Sequence, residues 1–136
     1  MLIDTNVVSE AVKPNGHAAV KQAVARAEDE LYLSVVVLGE IRFGVETSPD
    51  GRRKERLRAF YDRLTSDFSE RIIGVSLPIA ERWAALRAAH RRAGRVLPLA
   101  DGLIAATALE HDMPLMTRNT RDFELTGARL LNPWEE

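Results

Sequence analysis

Four acidic residues occupy places from which side chains can meet to do chemistry: Asp4, Glu40, Asp101 and Asp122. Asp4 directly follows the apolar run Met1-Leu2-Ile3, and Asp122 lies a few residues past Pro114-Leu115-Met116-Thr117. Asp101 heads the apolar stretch Leu103 to Leu109, and Glu40 sits one turn into the segment that follows Leu31-Tyr32-Leu33-Ser34-Val35. In an open parallel sheet, ligands bind outside the carboxyl ends of the strands. Four carboxylates on separate elements can therefore converge at one sheet edge. Alone, they repel one another, which raises some of their pKa values and costs stability. A hard divalent cation such as Mg²⁺ or Mn²⁺ removes that cost, because it prefers carboxylate oxygens and water and keeps positions open for phosphate oxygens. One or two such ions activate a water, neutralise a phosphate and stabilise the leaving oxygen. With no cysteine and only three histidines in the chain, zinc is the poorer match.

Each acid also has a plain structural reading. Asp4 and Asp101 fit as helix N-caps, for which Asp is favoured. Ile104, three residues past Asp101, rules out the capping-box form there. Asp122 fits as the brace of a turn. Glu40 is harder to explain this way. It shares a helical side with Val36, Val37, Phe43 and Gly44, where a carboxylate is costly unless paired or coordinating. Arg42 points elsewhere on that helix. No covalent nucleophile stands out, since Ser9, Ser34 and Ser76 have no histidine at a recognisable spacing. His17, His90 and His111 read as surface or packing residues.

The elements that must hold these acids alternate. Residues 1–3, 31–35, 71–75, 114–117 and 128–131 read as strands. Helical periodicity or composition marks 5–12, 17–28, 36–46, 52–68, 78–92 and a helix begun by Asp101, with 119–123 as a turn. Pro78 suits a helix first turn and Gly94 a helix end. The apolar helix after Asp101 should be buried on most sides. Strands separated by helices, rather than by hairpins, predict a parallel sheet flanked by helices. No repeat or linker divides the chain, so one α/β domain spans 1–136.

Length and composition agree. A chain of 136 residues with 46% hydrophobic content can bury one sizeable core. The lack of cysteine excludes disulfides, zinc-thiolate sites and a cysteine nucleophile. No apolar run reaches a membrane span of about 18 residues, and the N-terminus lacks signal-peptide character, so a cytoplasmic protein is expected. Net charge is −1, but residues 51–95 hold twelve Lys/Arg against five Asp/Glu. That basic middle beside acidic flanks reads either as an RNA-facing surface around an acidic pocket or as the solvated faces of two amphipathic helices.

Four segments carry a family resemblance: Leu2 to Glu10 with Asp4-Thr5-Asn6; Ser34 to Gly44 with Glu40; Leu97-Pro98-Leu99-Ala100-Asp101-Gly102-Leu103-Ile104-Ala105-Ala106-Thr107-Ala108; and Thr117-Arg118-Asn119-Thr120-Arg121-Asp122-Phe123. Together and in this order they resemble a PIN domain, and within that group the VapC-type toxin ribonucleases of the FitB-like branch. The resemblance implies a flavodoxin-like α/β/α sandwich and a Mg²⁺- or Mn²⁺-dependent endoribonuclease, the toxin of a VapBC-type toxin–antitoxin pair. It assigns Asp4, Glu40, Asp101 and Asp122 to the metal-binding catalytic centre, with Asp4 and Asp101 the most direct ligands. Thr5, Thr117 and Asn119 match supporting polar positions. It further implies an RNA substrate, a homodimer, and a cognate VapB-type antitoxin that covers the acidic pocket. One departure is the start: relatives often have more residues before the first Asp, which leaves either a short first strand or a native start upstream of Met1. Competing readings are a non-catalytic PIN-fold interaction module, a DNA-directed nuclease and a phosphatase or phospho-receiver. A dehalogenase-type phosphatase wants a second Asp where Asn6 stands, and a receiver wants a lysine that residues 113–117 lack.

Overall fold

The computed structural model describes residues 1–135. Five short strands, β1 (Leu2–Ile3), β2 (Leu33–Ser34), β3 (Ile72–Ile73), β4 (Leu115–Met116) and β5 (Leu130–Leu131), all pair in parallel. β1 pairs with β4 and β4 with β5, while β2 pairs with β3. A parallel bridge between Leu2 and Tyr32 joins the two groups, so the spatial order is β3-β2-β1-β4-β5. The central strand is held from both sides: the Ile3 amide donates to the Tyr32 carbonyl at 3.1 Å and the Asp4 amide to Met116 at 3.0 Å. Three residues before Asp4 thus suffice for a central strand. Leu2 and Ile3 are almost fully buried on both faces, as a central parallel strand requires.

The described residues also form seven α-helices, α1 (Thr5–Val12), α2 (Ala18–Arg26), α3 (Val35–Thr47), α4 (Arg52–Asp67), α5 (Leu77–Arg92), α6 (Leu99–Glu110) and α7 (Thr120–Phe123), and three short 3-10 turns. Their starts follow local chemistry. The Ser34 hydroxyl accepts the Val36 amide at 3.0 Å and caps α3, and Ser76 caps α5 through the Ile79 amide with Pro78 in the first turn. Gly94 adopts φ 71° just after α5, the left-handed conformation that ends a helix cheaply in glycine. Replacing Ser34 by Ala leaves the α3 amides short of a buried partner. It should cost about 1 kcal/mol, readable as a lowered midpoint in urea with an unchanged slope.

Two expectations need correction. α6 begins at Leu99, with the Gly102 amide bonding to the Pro98 carbonyl at 2.9 Å, so Asp101 is the third residue of the helix and not its cap. Within 119–123, Thr120–Phe123 form the short helix α7 rather than a simple turn, with Asn119 at its cap position. The α6 expectation holds: Gly102 and Ile104 to Ala108 are buried, between α3 and the long neighbour α5. The ion pair Arg82–Glu110 at 3.0 Å ties the start of α5 to the end of α6.

Candidate active site at the carboxyl edge of the sheet

Asp4 leaves β1 and caps α1 at once, as its structural reading expects. One carboxylate oxygen, Oδ1, accepts the Thr5 amide at 2.8 Å, and Oδ2 accepts the Thr117 hydroxyl at 2.8 Å. Thr117 follows β4, the neighbour of β1, and is fully buried, so it reaches Asp4 across the strand ends without competition from water. The Thr117 oxygen in turn accepts the Asn119 amide at 3.0 Å. Burial pushes the Asp4 carboxyl above its ordinary value, the Thr117 and Thr5 hydrogen bonds oppose that, and the charge of Asp122 adds to it.

Glu40 reaches the same place from α3. Its Oε1 accepts the Thr5 hydroxyl at 3.1 Å, which links it through one residue to Asp4. Its carboxyl is raised by partial loss of water and by the charge of Asp4, against the Thr5 hydrogen bond. The expected physical reason for Glu40 is wrong, however. The residue is exposed, and Phe43 on the same side is 69% exposed, so no buried apolar face surrounds it. Arg42 does point elsewhere, pairing with Glu46 at 2.9 Å.

Asp101 projects from the first turn of α6, and Asp122 from α7 just beyond β4. Asp101 is raised to about 6, first by burial and then by the charges of Asp4, Asp122 and Glu40. Three of the acids named from sequence therefore act on the fourth. Among the described residues, no lysine or arginine pairs with any of the four. Among the described residues, the side chains of Asp101 and Asp122 also accept no hydrogen bond. As the side chains stand, no three acids or histidines among the described residues are grouped tightly enough to enclose a metal ion. By its chemistry the donor set suits a hard divalent cation: carboxylates without counter-charge among the described residues, one of them raised to about 6 by burial and then by the other three.

Thr5 donates to Asp4 through its amide and to Glu40 through its hydroxyl, and Thr117 donates to Asp4 through its hydroxyl. Asn119 takes part through its backbone: its amide donates to Thr117, and its carbonyl accepts the Asp122 amide at 3.0 Å. Asn6 was quoted from sequence without a role. Its Oδ1 accepts the Arg118 amide at 3.3 Å and ties the start of α1 to the loop after β4. Its place two residues past Asp4 was the only available signal. The three histidines stay out of the site: His17 and His111 are exposed, and His90 is buried with Nδ1 2.8 Å from the Leu86 carbonyl. The acid site is an open edge. An apolar groove of about 650 Å³ between the end of α1 and α4 is lined by Val12, Phe60, Lys13, Arg53, Arg56 and Arg63 among others and by none of the four acids.

Comparison with known proteins agrees with this geometry. The PIN domain family model matches residues 1–128. The chain is 36% identical over 140 residues to a VapC ribonuclease of Sinorhizobium fredii, covering 99% of this chain and 98% of that protein. It is 32% identical to Toxin FitB of Neisseria gonorrhoeae, covering 100% and 99%. The crystal structure of FitAcB from the same organism superimposes with a TM-score of 0.89 at 31% identity, covering 99% of both chains. A parallel sheet with helices, an acidic carboxyl edge and these full-length likenesses place the chain in the PIN domain family.

Proposed function

We propose that the protein is a divalent-metal-dependent endoribonuclease, the toxin of a VapBC-type toxin–antitoxin pair. The observation that carries this reading is the single field shared by Asp4, Glu40, Asp101 and Asp122, with no basic partner, at the carboxyl edge of a parallel sheet. Its support from relatives is that one is named a VapC ribonuclease and another a toxin. Asp4, Glu40, Asp101 and Asp122 would hold Mg²⁺ or Mn²⁺, with Asp4 and Asp101 as the most direct ligands. The bound ion supplies charge neutralisation at the phosphate and an activated water. Thr117 and Thr5 fix both oxygens of Asp4, so that ligand needs no reorganisation. Glu40 and Asp122 are the two exposed acids of the four, and we assign to one of them the uptake of the proton released on hydrolysis.

The test is direct. Purified protein, freed of any copurified partner, is incubated with a structured RNA mixture, with and without Mn²⁺. Fragments that need the metal and disappear in Asp101→Asn support the nuclease. A wild-type protein that neither cuts RNA nor gains thermal stability with Mn²⁺ would favour a non-catalytic module of the same fold.

RNA needs a cationic surface, and α4 offers one. Arg53, Arg56 and Arg63 line one groove, are exposed and make no ion pair among the described residues. The basic residues of α5 and the turn after it are partly engaged instead: Arg82 with Glu110, Arg95 with Glu124, and Arg87 over Trp83. Changing Arg53 and Arg56 to Ala should weaken RNA binding uniformly across sequences and flatten the salt dependence by roughly one log–log unit per lost phosphate contact. Filter binding at several salt concentrations reads it, and an unchanged slope removes α4 from the RNA surface. A homodimer and a VapB-type antitoxin belong to the same proposal. The exposed Phe43, Leu77, Val96 and Leu99 offer apolar area of the kind protein contacts bury. No helix among the described residues is long and apolar enough to cross a membrane.

A further inference from the structure

Gly102 follows Asp101 in the first turn of α6 and is buried. Glycine is a poor helix former, so its presence there needs a reason. A Cβ at this position would lie 2.6 Å from Cδ1 and 2.9 Å from Nε1 of Trp83, and 3.1 Å from Cδ2 of Leu97. The five-membered edge of the indole therefore rests directly on the α6 backbone beside Asp101. Trp83 comes from α5 and is covered on its ring by the Arg87 guanidinium, whose carbon is 5.6 Å from the ring centre. Its Nε1 is buried and meets no hydrogen-bond acceptor among the described residues. Burying that donor costs free energy that a purely apolar side chain would not. The gain from a rigid flat plate at this contact must offset it.

The turn under the indole has few other restraints. Pro98 supplies no side-chain cap to α6, and among the described residues the Asp101 side chain receives no hydrogen bond or ion pair. Four like charges push one another apart, so a carboxylate without a partner keeps its place only if its backbone is held. We infer that Trp83 and Gly102 are positioning residues for Asp101: the indole seated on the glycine fixes the first turn of α6 and so aims this carboxylate at the other three. The inference rests on the metal-binding reading of the site and extends it to two residues that touch neither metal nor substrate. Partners that orient a ligand typically change metal affinity by roughly ten- to hundredfold when lost.

Mn²⁺ titrations followed by thermal unfolding separate the possibilities, with wild type, Gly102→Ala, Trp83→Leu and the double variant run together. The added methyl should raise the half-saturating Mn²⁺ concentration of Gly102→Ala about tenfold. Trp83→Leu should raise it also, because the plate is gone. In the double variant the alanine methyl fills part of the space the indole leaves and packs on the leucine, which restores a contact that holds the turn, so half-saturation should return to within about threefold of wild type. Wild-type half-saturation in Gly102→Ala, or a double variant as weak as the product of its parents, overturns the inference. If Gly102→Ala does not fold, Trp83→Leu decides, since it adds no atoms: unchanged affinity overturns the inference. Absence of any Mn²⁺ response in wild type would instead remove the metal reading. Hydrogen exchange at the Gly102 amide, which bonds to Pro98 at 2.9 Å, then still reads the contact. Faster exchange in Trp83→Leu supports a held turn, and unchanged exchange refutes it.

Discussion

Replacing Asp4 by Asn is expected to lower metal-dependent RNA cleavage about a thousandfold or more, while leaving the fold intact. The two halves of that result come from different atoms. Asn keeps an acceptor for the Thr5 amide, and its Nδ2 can donate to the Thr117 oxygen in place of the hydrogen bond it now receives. Thr117 already accepts the Asn119 amide through one lone pair and has a second available. The cap of α1 and the tie to β4 therefore survive, and thermal stability should change little. What is lost is the negative charge of a residue that acts on both Glu40 and Asp101. Losing a group that only orients a ligand costs ten- to hundredfold, so losing the charge of a ligand itself should cost more. A thousandfold corresponds to about 4 kcal/mol of transition-state stabilisation. Initial rates on a structured RNA in saturating Mn²⁺, with circular dichroism on the same samples, measure both halves. Asp4→Asn cleaving at the wild-type rate would move the chemistry away from this edge.

Much of this site is legible before any coordinates because its residues sit at element ends. The apolar runs before Asp4 and before Thr117 terminate abruptly in polar residues, and in a parallel sheet such ends meet at one edge. Pro98 and Gly94 bracket the break between α5 and α6, which puts Asp101 close to a helix start. The error of two residues in that start matters. It changes Asp101 from a cap, whose oxygens would serve its own helix, into a first-turn side chain free to face the other acids. Helix starts near proline are hard to place because the residue before a proline avoids the helical region while proline itself suits the first turn.

Burial around Glu40 is not legible in the same way. Periodicity says which residues share a side of α3, but only tertiary packing says whether that side is covered. α3 turns Val37, Leu38, Ile41 and Val45 inward and leaves Val35 and Phe43 open to solvent. The correct reason for Glu40 lies across the chain, in the hydroxyl of Thr5, 35 residues away. Long-range hydrogen bonds of this kind, Thr117 to Asp4 above all, leave no local periodicity to read. The same holds for Gly102, whose need for glycine is created by an indole from another helix.

Neutralising Asp101 should move stability in opposite directions with and without metal. In the metal-free protein the Asp101 carboxyl is raised from 3.8 to about 6, by burial first and then by the other three acids. The folded state thus binds this proton more tightly than the unfolded state. The stabilising contribution of the protonated group is complete below about pH 3.8, declines as pH rises, and is lost above about pH 6. Above that pH the folded protein carries a strained carboxylate that the unfolded chain solvates freely. Asp101→Asn removes the strain, so without metal the variant should melt higher than wild type at pH 8, and the gap should close as pH falls towards 4. Saturating Mn²⁺ should reverse the order. A ligand at a hundred times its dissociation constant adds about 2.7 kcal/mol to a protein that binds it, and the variant forfeits most of that gain. Thermal unfolding at pH 5 and pH 8, each with chelator and with Mn²⁺, gives the four midpoints required. A variant that melts below wild type in chelator at pH 8 would mean that Asp101 has a structural partner, and the acids would then not be held together in waiting for a cation. The reversal would show the opposite: this edge is built at the expense of the apo fold, and the free energy it withholds there is recovered when a divalent ion binds.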